Sequence, residues 1–152
     1  MKEFINDLIF APYEDGYMVK EAKDVENIVI PETFDGKPVV AIGSWAFAGN
    51  MKLKNITIPS TIEIIFGNAF GGCGNLERVI IPKQTYRIDT TAFTACDSLT
   101  IYCEAEQQPE KWSKLWNTWN APVYWYREEN PNVYGFYWHY KDGEPEIWKR
   151  TV

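Results

Sequence analysis

Three cysteines and one histidine are the first candidates in this 152-residue chain for a nucleophile or a zinc ligand. Cys73 and Cys96 are 23 residues apart, Cys103 follows shortly after, and His139 stands alone in an aromatic C-terminal segment. A zinc site needs several clustered ligands, and a nucleophilic cysteine needs a base beside it, so this spacing favours neither. The sequence therefore predicts no catalytic residue, no metal site and no cofactor.

Paired carboxylates are the second chemical possibility. They occur at Glu128-Glu129 and at Glu144 and Glu146, near the end of the sequence. Glycoside hydrolysis needs two carboxyl groups opposed across a cleft, whereas carboxylates in terminal loops are ordinarily solvated. The sequence contains no P-loop, no dinucleotide-binding glycine motif and no G-x-S-x-G motif. We therefore expect a protein without enzymatic activity.

A 23-residue repeat organises the middle of the chain. Ala-Phe pairs stand at residues 46–47, 69–70 and 92–93, and an Ile and a Leu flank each pair at constant distances. Apolar segments that end in Ile-Pro recur as IVIP, ITIP and VIIP, and the last copy reads LTIYC. A fixed period between about 20 and 29 residues is typical of a leucine-rich solenoid.

Each copy encodes one coil of that solenoid. In VENIVIP, LKNITIP and LERVIIP the fourth and sixth residues are apolar and alternate with their neighbours, as in a strand with one buried face. Pro then removes a backbone donor and ends the strand. A second extended piece follows, and we expect the Ala-Phe step after it to form a 3₁₀ or short helical turn. Because one coil cannot bury its apolar face alone, the coils must stack, which predicts a short, strand-rich leucine-rich repeat solenoid.

These positions resemble the BspA-like class of leucine-rich repeats, whose pattern is I-x-x-x-A-F-x-x-C-x-x-L-x-x-I-x-I-P. The resemblance covers about residues 25–125. It implies a curved solenoid, and many members of the family are surface-exposed bacterial or microbial proteins implicated in adhesion. The cysteine of the pattern is matched by Cys73 and Cys96 and replaced by Asn50 in the first copy. This ladder position favours buried free thiols, and a disulfide between neighbouring coils stays an alternative.

The segments that flank the repeat on both sides predict caps for the solenoid. Two β-prone segments around Glu14-Asp15-Gly16 predict an N-terminal hairpin, and Trp112 and Trp116 are spaced to share one face of a short helix. Asp142-Gly143 predicts a second hairpin in the aromatic tail. We divide the chain into one repeat domain at residues 1–126, with caps at 1–24 and 104–126, and a hairpin tail at 127–152 that packs on it.

The outward positions of the strands are the candidate contact surface. They form a polar row of Asn27, Asn55, Arg78 and Thr100 and a more apolar row of Val29, Thr57, Ile80 and Tyr102. The preference of Val, Thr, Ile and Tyr for strands also explains the apolar row, so a binding role and a purely structural role both stay open. Four short strands project only roughly 300 Å², against about 800 Å² per partner in a standard interface, so an end or the tail must contribute. The residues predicted to bind a partner are Val29, Asn55, Thr57, Arg78, Ile80, Tyr102, Tyr134, Tyr137 and Tyr140.

Composition and charge limit the class of partner and the cellular location that the sequence predicts. Fifteen Lys and Arg against 21 Asp and Glu give a net charge of −6, which argues against direct binding of nucleic acid through its phosphates. No apolar stretch is long enough to span a membrane, and the sequence as written begins without a secretory signal. It therefore predicts a cytoplasmic protein, whereas a natural start further upstream would favour the cell surface or secretion.

We predict a non-enzymatic protein–protein recognition module whose protein partner the sequence does not identify. Two alternatives stay open. One is a microbial cell-surface adhesion protein, as the family resemblance implies. The other is a small acidic intracellular inhibitor, encoded by a phage or mobile element, of a host nucleic-acid-binding defence protein. A homodimer formed through the C-terminal hairpin is a further alternative for the partner.

Overall fold

Stacked coils form the body of the protein, whose computed structural model describes residues 3–151. Met1, Lys2 and Val152, at the ends of the predicted cap and tail, lie outside the described residues. The strands are β1 (Leu8–Tyr13), β2 (Gly16–Ala22), β3 (Asn27–Val29), β4 (Thr33–Phe34), β5 (Lys37–Ile42), β6 (Asn55–Thr57), β7 (Ile64–Ile65), β8 (Arg78–Ile81), β9 (Arg87–Ile88), β10 (Thr100–Cys103), β11 (Val123–Tyr126), β12 (Tyr137–Lys141) and β13 (Glu144–Ile147). The described part of the chain has no helix, and so none that could cross a membrane.

The first strand of each coil joins a seven-stranded sheet, ordered β13, β12, β11, β10, β8, β6, β3, which we call the repeat sheet. Strands β3 to β12 in this sheet are parallel. Asn27 lies opposite Asn55, Asn55 opposite Arg78, and Arg78 opposite Thr100. The repeat-based prediction of a strand-rich solenoid is therefore confirmed in both architecture and register.

The second extended piece of each coil forms another sheet, ordered β1, β2, β5, β7, β9, with β4 paired to β5. Parallel pairing in this second sheet places Ile42 beside Ile65 and Ile65 beside Ile88. The N-terminal hairpin turns at Glu14 and Asp15, as predicted, and its strand β2 pairs in parallel with β5. The hairpin thus covers an edge of the second sheet that would otherwise expose unpaired backbone groups.

The interior is built from the repeated Ala-Phe pairs. Phe47 stacks on Phe70 with 4.9 Å between ring centroids, and Phe70 stacks on Phe93 at 5.2 Å. Ala69 is fully buried beside them, and its small side chain lets the turn approach the stack closely. Trp116 ends the stack with its ring edge-on to Phe93. Residues 23 apart therefore occupy equivalent positions in successive coils.

The Ala-Phe step is not helical, in contrast to the expected 3₁₀ or short helical turn. Its backbone bonds close separate turns: the Ala48 N–H donates to the carbonyl of Trp45, and the Asn50 N–H donates to that of Phe47. Trp45 has a φ of +63°, and a left-handed residue cannot continue a right-handed helix. The step is a series of β-turns.

The short helix expected around Trp112 and Trp116 is also wrong. The N–H of Ser113 donates to the carbonyl of Ile88 in the preceding coil rather than to a residue of its own segment. The coil-to-coil bond replaces a helical bond. Both indoles are nevertheless buried, and Trp112 Nε1–H donates to the carbonyl of Thr85 at 3.0 Å. The two tryptophans close the core as a cap without forming a helix.

The tail continues the repeat sheet. Strand β12 pairs in parallel with β11, with Tyr126 opposite Trp138, and β13 returns antiparallel beside β12. Asp142 and Gly143 connect these strands with φ values of 52° and 80°, which are the left-handed values that a two-residue hairpin turn requires.

Candidate recognition surface

The apolar row on the outward face of the repeat sheet runs further than four strands. Tyr102 lies opposite Tyr124 of β11, and Phe136, next along the sheet, accepts a backbone hydrogen bond from Trp125. The Tyr102 and Tyr124 rings stack at 5.6 Å, and the Phe136 ring meets Tyr124 at 5.4 Å. We call this set of six side chains the outer row: Val29, Thr57, Ile80, Tyr102, Tyr124 and Phe136.

Sequence reasoning missed Tyr124 and Phe136 because neither belongs to a repeat copy. A signal was present for Tyr124, since APVYW alternates and both Val123 and Trp125 pack against the core. Alternation along a strand then directs Tyr124 outward. The sequence gives no comparable indication for Phe136. This residue precedes β12, and no local pattern predicts that β12 pairs with β11.

The tip of the β12–β13 hairpin folds over the outward face of the repeat sheet. Tyr140 Oη donates a hydrogen bond to Glu104 Oε2 at 2.6 Å, and Arg78 Nη2 donates one to Glu144 Oε2 at 2.6 Å. Trp138 anchors the hairpin, since its indole is fully buried and its Nε1–H donates to the carbonyl of Cys103 at 2.7 Å. The tail therefore forms a wall over one part of the sheet.

A concavity of about 360 Å³ lies between the hairpin tip and the sheet. We call it the tip groove. Its lining includes Asn55, Thr57, Arg78 and Ile80 from the strands, Glu104 beyond the end of β10, and Tyr140 and Gly143 from the tip. The groove combines apolar side chains such as Ile80 with neutral polar ones, one cation and one anion.

The polar groups of the tip groove are held in place. Glu104 accepts the Tyr140 hydroxyl on one oxygen and the Lys83 backbone N–H, at 3.0 Å, on the other. Burial raises the pKa of Tyr140, and the hydrogen bond and charge of Glu104 raise it further. Tyr140 is thus a neutral donor at physiological pH. In the groove lining, the Asn55 amide donates to Asn27 Oδ1 at 3.0 Å and links neighbouring strands.

The structure gathers most of the residues predicted to bind a partner on one face. Of these, Asn55, Thr57, Arg78, Ile80 and Tyr140 line the tip groove, and Val29 and Tyr102 extend the same surface along the outer row.

Two predicted contact residues lie apart from the groove. Tyr134 is 85% exposed, with the Arg150 guanidinium 4.4 Å from its ring. Tyr137 alternates with Trp138 along β12, and its ring packs against the Arg127 guanidinium at 4.6 Å. The tail tyrosines therefore do not form one contact surface.

All three cysteines are buried free thiols. Burial raises the pKa of Cys73 to about 12 and that of Cys96 to about 11, and it raises the pKa of Cys103 as well. Since the thiolate is the nucleophilic form, these thiols are unreactive at neutral pH.

His139 makes a pair within the tail hairpin. Its Nε2 lies 2.8 Å from Glu146 Oε1, and its ring stacks on Trp148 with 3.6 Å between centroids. The hydrogen bond with His139 lowers the pKa of Glu146. Within residues 3–151, no three His, Cys, Asp or Glu side chains form a group that could hold a metal ion.

The family profile of the BspA type leucine rich repeat region matches residues 17–107 in six copies, and the chain belongs to this family. Among solved structures, it is similar to a leucine-rich repeat protein from Bacteroides ovatus, with a TM-score of 0.60 and 26% identity over 70% of this chain and 32% of that one. It is also similar to a leucine rich cell surface protein from Faecalibacterium prausnitzii, with a TM-score of 0.56 and 29% identity over 66% of this chain and 30% of that one. The chain thus corresponds to about a third of either protein. A comparison with curated proteins found no match.

Proposed function

We propose that this chain is a non-enzymatic protein-recognition module that contacts its partner through the outward face of the repeat sheet. The observation that carries the proposal is the outer row, which is continuous across the sheet and aromatic in its second half. Parallel strands hold these side chains at fixed spacing, so the surface is ordered before a partner arrives. Tyrosine is a residue type enriched at the energetic centres of protein interfaces.

The area of this face sets the kind of interface to expect. Six columns about 4.8 Å apart and strands about 16 Å long project roughly 400 Å². A standard interface takes about 800 Å² from each partner, so the outward face of the sheet supplies about half of it. The hairpin tip and other parts of the tail must supply the rest. We therefore expect the partner to contact the hairpin tip as well as the sheet face, including the tip groove.

The test begins with a partner selected from a displayed library of protein fragments against the immobilised chain. Ile80→Asp and Tyr102→Ala then change the centre of the outer row. Each should weaken binding at least about tenfold, because truncating one of the few residues that carry most of the binding energy costs about 2 kcal/mol or more. Binding is measured by titration calorimetry, with the fold checked by circular dichroism.

Two exposed residues away from the outer row supply matched controls. Met51→Asp is the control for Ile80→Asp, and Tyr86→Ala, in the loop before β9, is the control for Tyr102→Ala. The control variants should bind as the parent does. A partner that tolerates both row variants while losing affinity for either control would refute the assignment of the binding face.

A cell-surface location is the setting that the comparisons favour for this module. The Faecalibacterium prausnitzii protein is described as a cell surface protein and is 29% identical over two thirds of this chain. Labelling of intact source cells with an antibody to the chain should give a signal without lysis. A signal that requires lysis would favour the intracellular inhibitor, whose binding to a basic partner should also weaken steeply with salt.

A further inference from the structure

We propose that the tip groove binds a carboxylate of the partner next to one large apolar side chain, and that Glu144 occupies the carboxylate position when no partner is present. This inference rests on the proposed function, because it places one part of the partner on the face assigned above. The occupant is an extended protein segment with an acidic residue beside an aromatic or large aliphatic one.

The Arg78–Glu144 pair supplies the first step of the argument. The chain itself places a carboxylate on the Arg78 guanidinium, with 2.6 Å between Nη2 and Oε2. The Arg78 side chain is half-buried, at 43% exposed, and the Glu144 side chain is 67% exposed, so solvent screens this pair, which contributes little to folding and is readily exchanged. A guanidinium presents donors in a fork that matches a carboxylate. A partner carboxylate can therefore replace Glu144 at little cost.

The floor of the tip groove supplies the second step. Thr57 and Ile80 line the groove from neighbouring strands, and Tyr140 lines it from the hairpin tip. Its volume of about 360 Å³ accommodates one large side chain. A Cβ placed on Gly143 would meet no atom within 4 Å, so the groove is open beside the tip. An apolar side chain can enter without moving the hairpin.

The position of Glu104 supplies the third step, because it gives the groove a direction. Arg78 begins β8, whereas Glu104 follows the last residue of β10, so the two charges lie at opposite ends of the strands. Glu104 is already bonded to Tyr140 and to the Lys83 backbone and does not compete for Arg78. Its charge repels a second carboxylate. A bound segment is therefore oriented with its acidic residue at Arg78.

Two small probes test the groove without knowledge of the partner. They are N-acetyl-Phe-Glu-amide and N-acetyl-Phe-Gln-amide, which differ only in the carboxylate. Each is titrated into the full ¹⁵N-labelled chain while the amide signals of Thr57 and Ile80 and the Nε–H signal of Arg78 are followed. The Glu probe should shift these signals at lower concentration than the Gln probe.

Variants of the exposed ion pair sharpen the test. Glu144→Gln should tighten binding of the Glu probe about two- to fivefold, because it removes a competitor whose exposed ion pair is weak. Arg78→Gln should abolish the preference for the Glu probe over the Gln probe. Glu129→Gln, which neutralises another exposed carboxylate of the tail, is the matched control and should leave both affinities unchanged.

The groove assignment is overturned if both probes bind Glu144→Gln equally, or if neither shifts the groove signals in that variant. That failure is distinct from failure of the proposed function. A partner whose binding is weakened by Ile80→Asp and Tyr102→Ala would still support the outward face as the binding surface, even if the probes do not bind.

Discussion

The thiol of Cys73 donates a hydrogen bond to the carbonyl oxygen of Phe47, 3.0 Å away in the preceding coil. Cys96 makes the same bond to Phe70. In the first copy the position holds Asn50, whose amide donates to the carbonyl of Lys23 at 3.1 Å. A donor at this position therefore ties each coil to the one before it, and its chemical nature changes along the stack.

Replacing this donor should destabilise the chain, and the loss should be smaller when the new side chain can make the same hydrogen bond. Cys73→Ala removes a buried sulfur and its hydrogen bond, and we expect a loss of about 1–2 kcal/mol in the free energy of unfolding. Cys73→Asn should lose less, because an amide already serves this position at Asn50. Urea unfolding measures both. A larger loss for Asn than for Ala would show that volume, not the donor, controls the site.

The buried thiols should make the fold less stable at alkaline pH. An unfolded thiol ionises near its usual pKa of 9, whereas folding raises the pKa of Cys73 to about 12 and that of Cys96 to about 11. Between pH 9 and about 11 the unfolded chain releases protons that the folded chain keeps, so rising pH favours unfolding. The loss should reach about 1 kcal/mol per thiol at pH 10.

Urea titrations at pH 8, 9 and 10 measure this dependence. The control is a Cys73→Ala, Cys96→Ala double variant, which retains every other titratable group. Its stability should decline less steeply than that of the parent. Identical slopes would contradict the assignment of the effect to the thiols.

The repeat could be predicted from sequence because each structural position of a coil holds the same residue type in several copies. Phe70 must fit between Phe47 and Phe93, so the same residue type recurs and the 23-residue step becomes visible. The same redundancy fixes the register of the outward rows. Four of the six members of the outer row were found in this way.

The remaining features occur at only one place in the sequence, so no repeated pattern reveals them and sequence reasoning failed to predict them. The spacing of Trp112 and Trp116 fits a helix, but coil-to-coil backbone bonds such as Ser113 to Ile88 replace the helical ones. The Arg78–Glu144 contact joins residues 66 apart in sequence. No local pattern encodes how far the hairpin tip reaches over the sheet.

The turn before each Ala-Phe pair carries backbone strain that substitution should relieve. Trp45, Asn68 and Thr91 share one repeat position and have φ values of 63°, 58° and 62°. Asparagine tolerates this left-handed region better than other residues with a side chain. Trp45 is also 64% exposed and gives up little packing. Trp45→Asn should therefore raise the free energy of unfolding by about 0.5–1 kcal/mol, a part of the cost of the left-handed conformation.

The reverse change is the control for this prediction. Asn68→Trp should lower the free energy of unfolding by a similar amount, as measured by urea unfolding. A destabilised Trp45→Asn would mean that the indole packs more favourably than its exposure indicates.

The buried indole of Trp138 should determine whether the hairpin stays on the repeat sheet. Trp138→Phe removes the donor to the carbonyl of Cys103 and leaves that buried acceptor without this bond, at an expected cost of about 1–3 kcal/mol. Hydrogen exchange should then speed up in β12 and β13 more than around Phe70. Trp119→Phe, which changes an exposed indole bonded to Asp97, is the control. Equal acceleration in the core would indicate that hairpin and solenoid unfold as one unit.

Successive coils have equivalent cross-sections, so the repeat sheet can be lengthened without changing the caps that stabilise its ends. A duplicated 23-residue cassette inserted between the coils of Phe70 and Phe93 would meet, at each seam, the kinds of neighbour that these rings already have. It would lengthen the sheet by about 4.8 Å while leaving both the N-terminal hairpin and the aromatic tail on their present supports. The length of the proposed binding face is thus adjustable one cassette at a time.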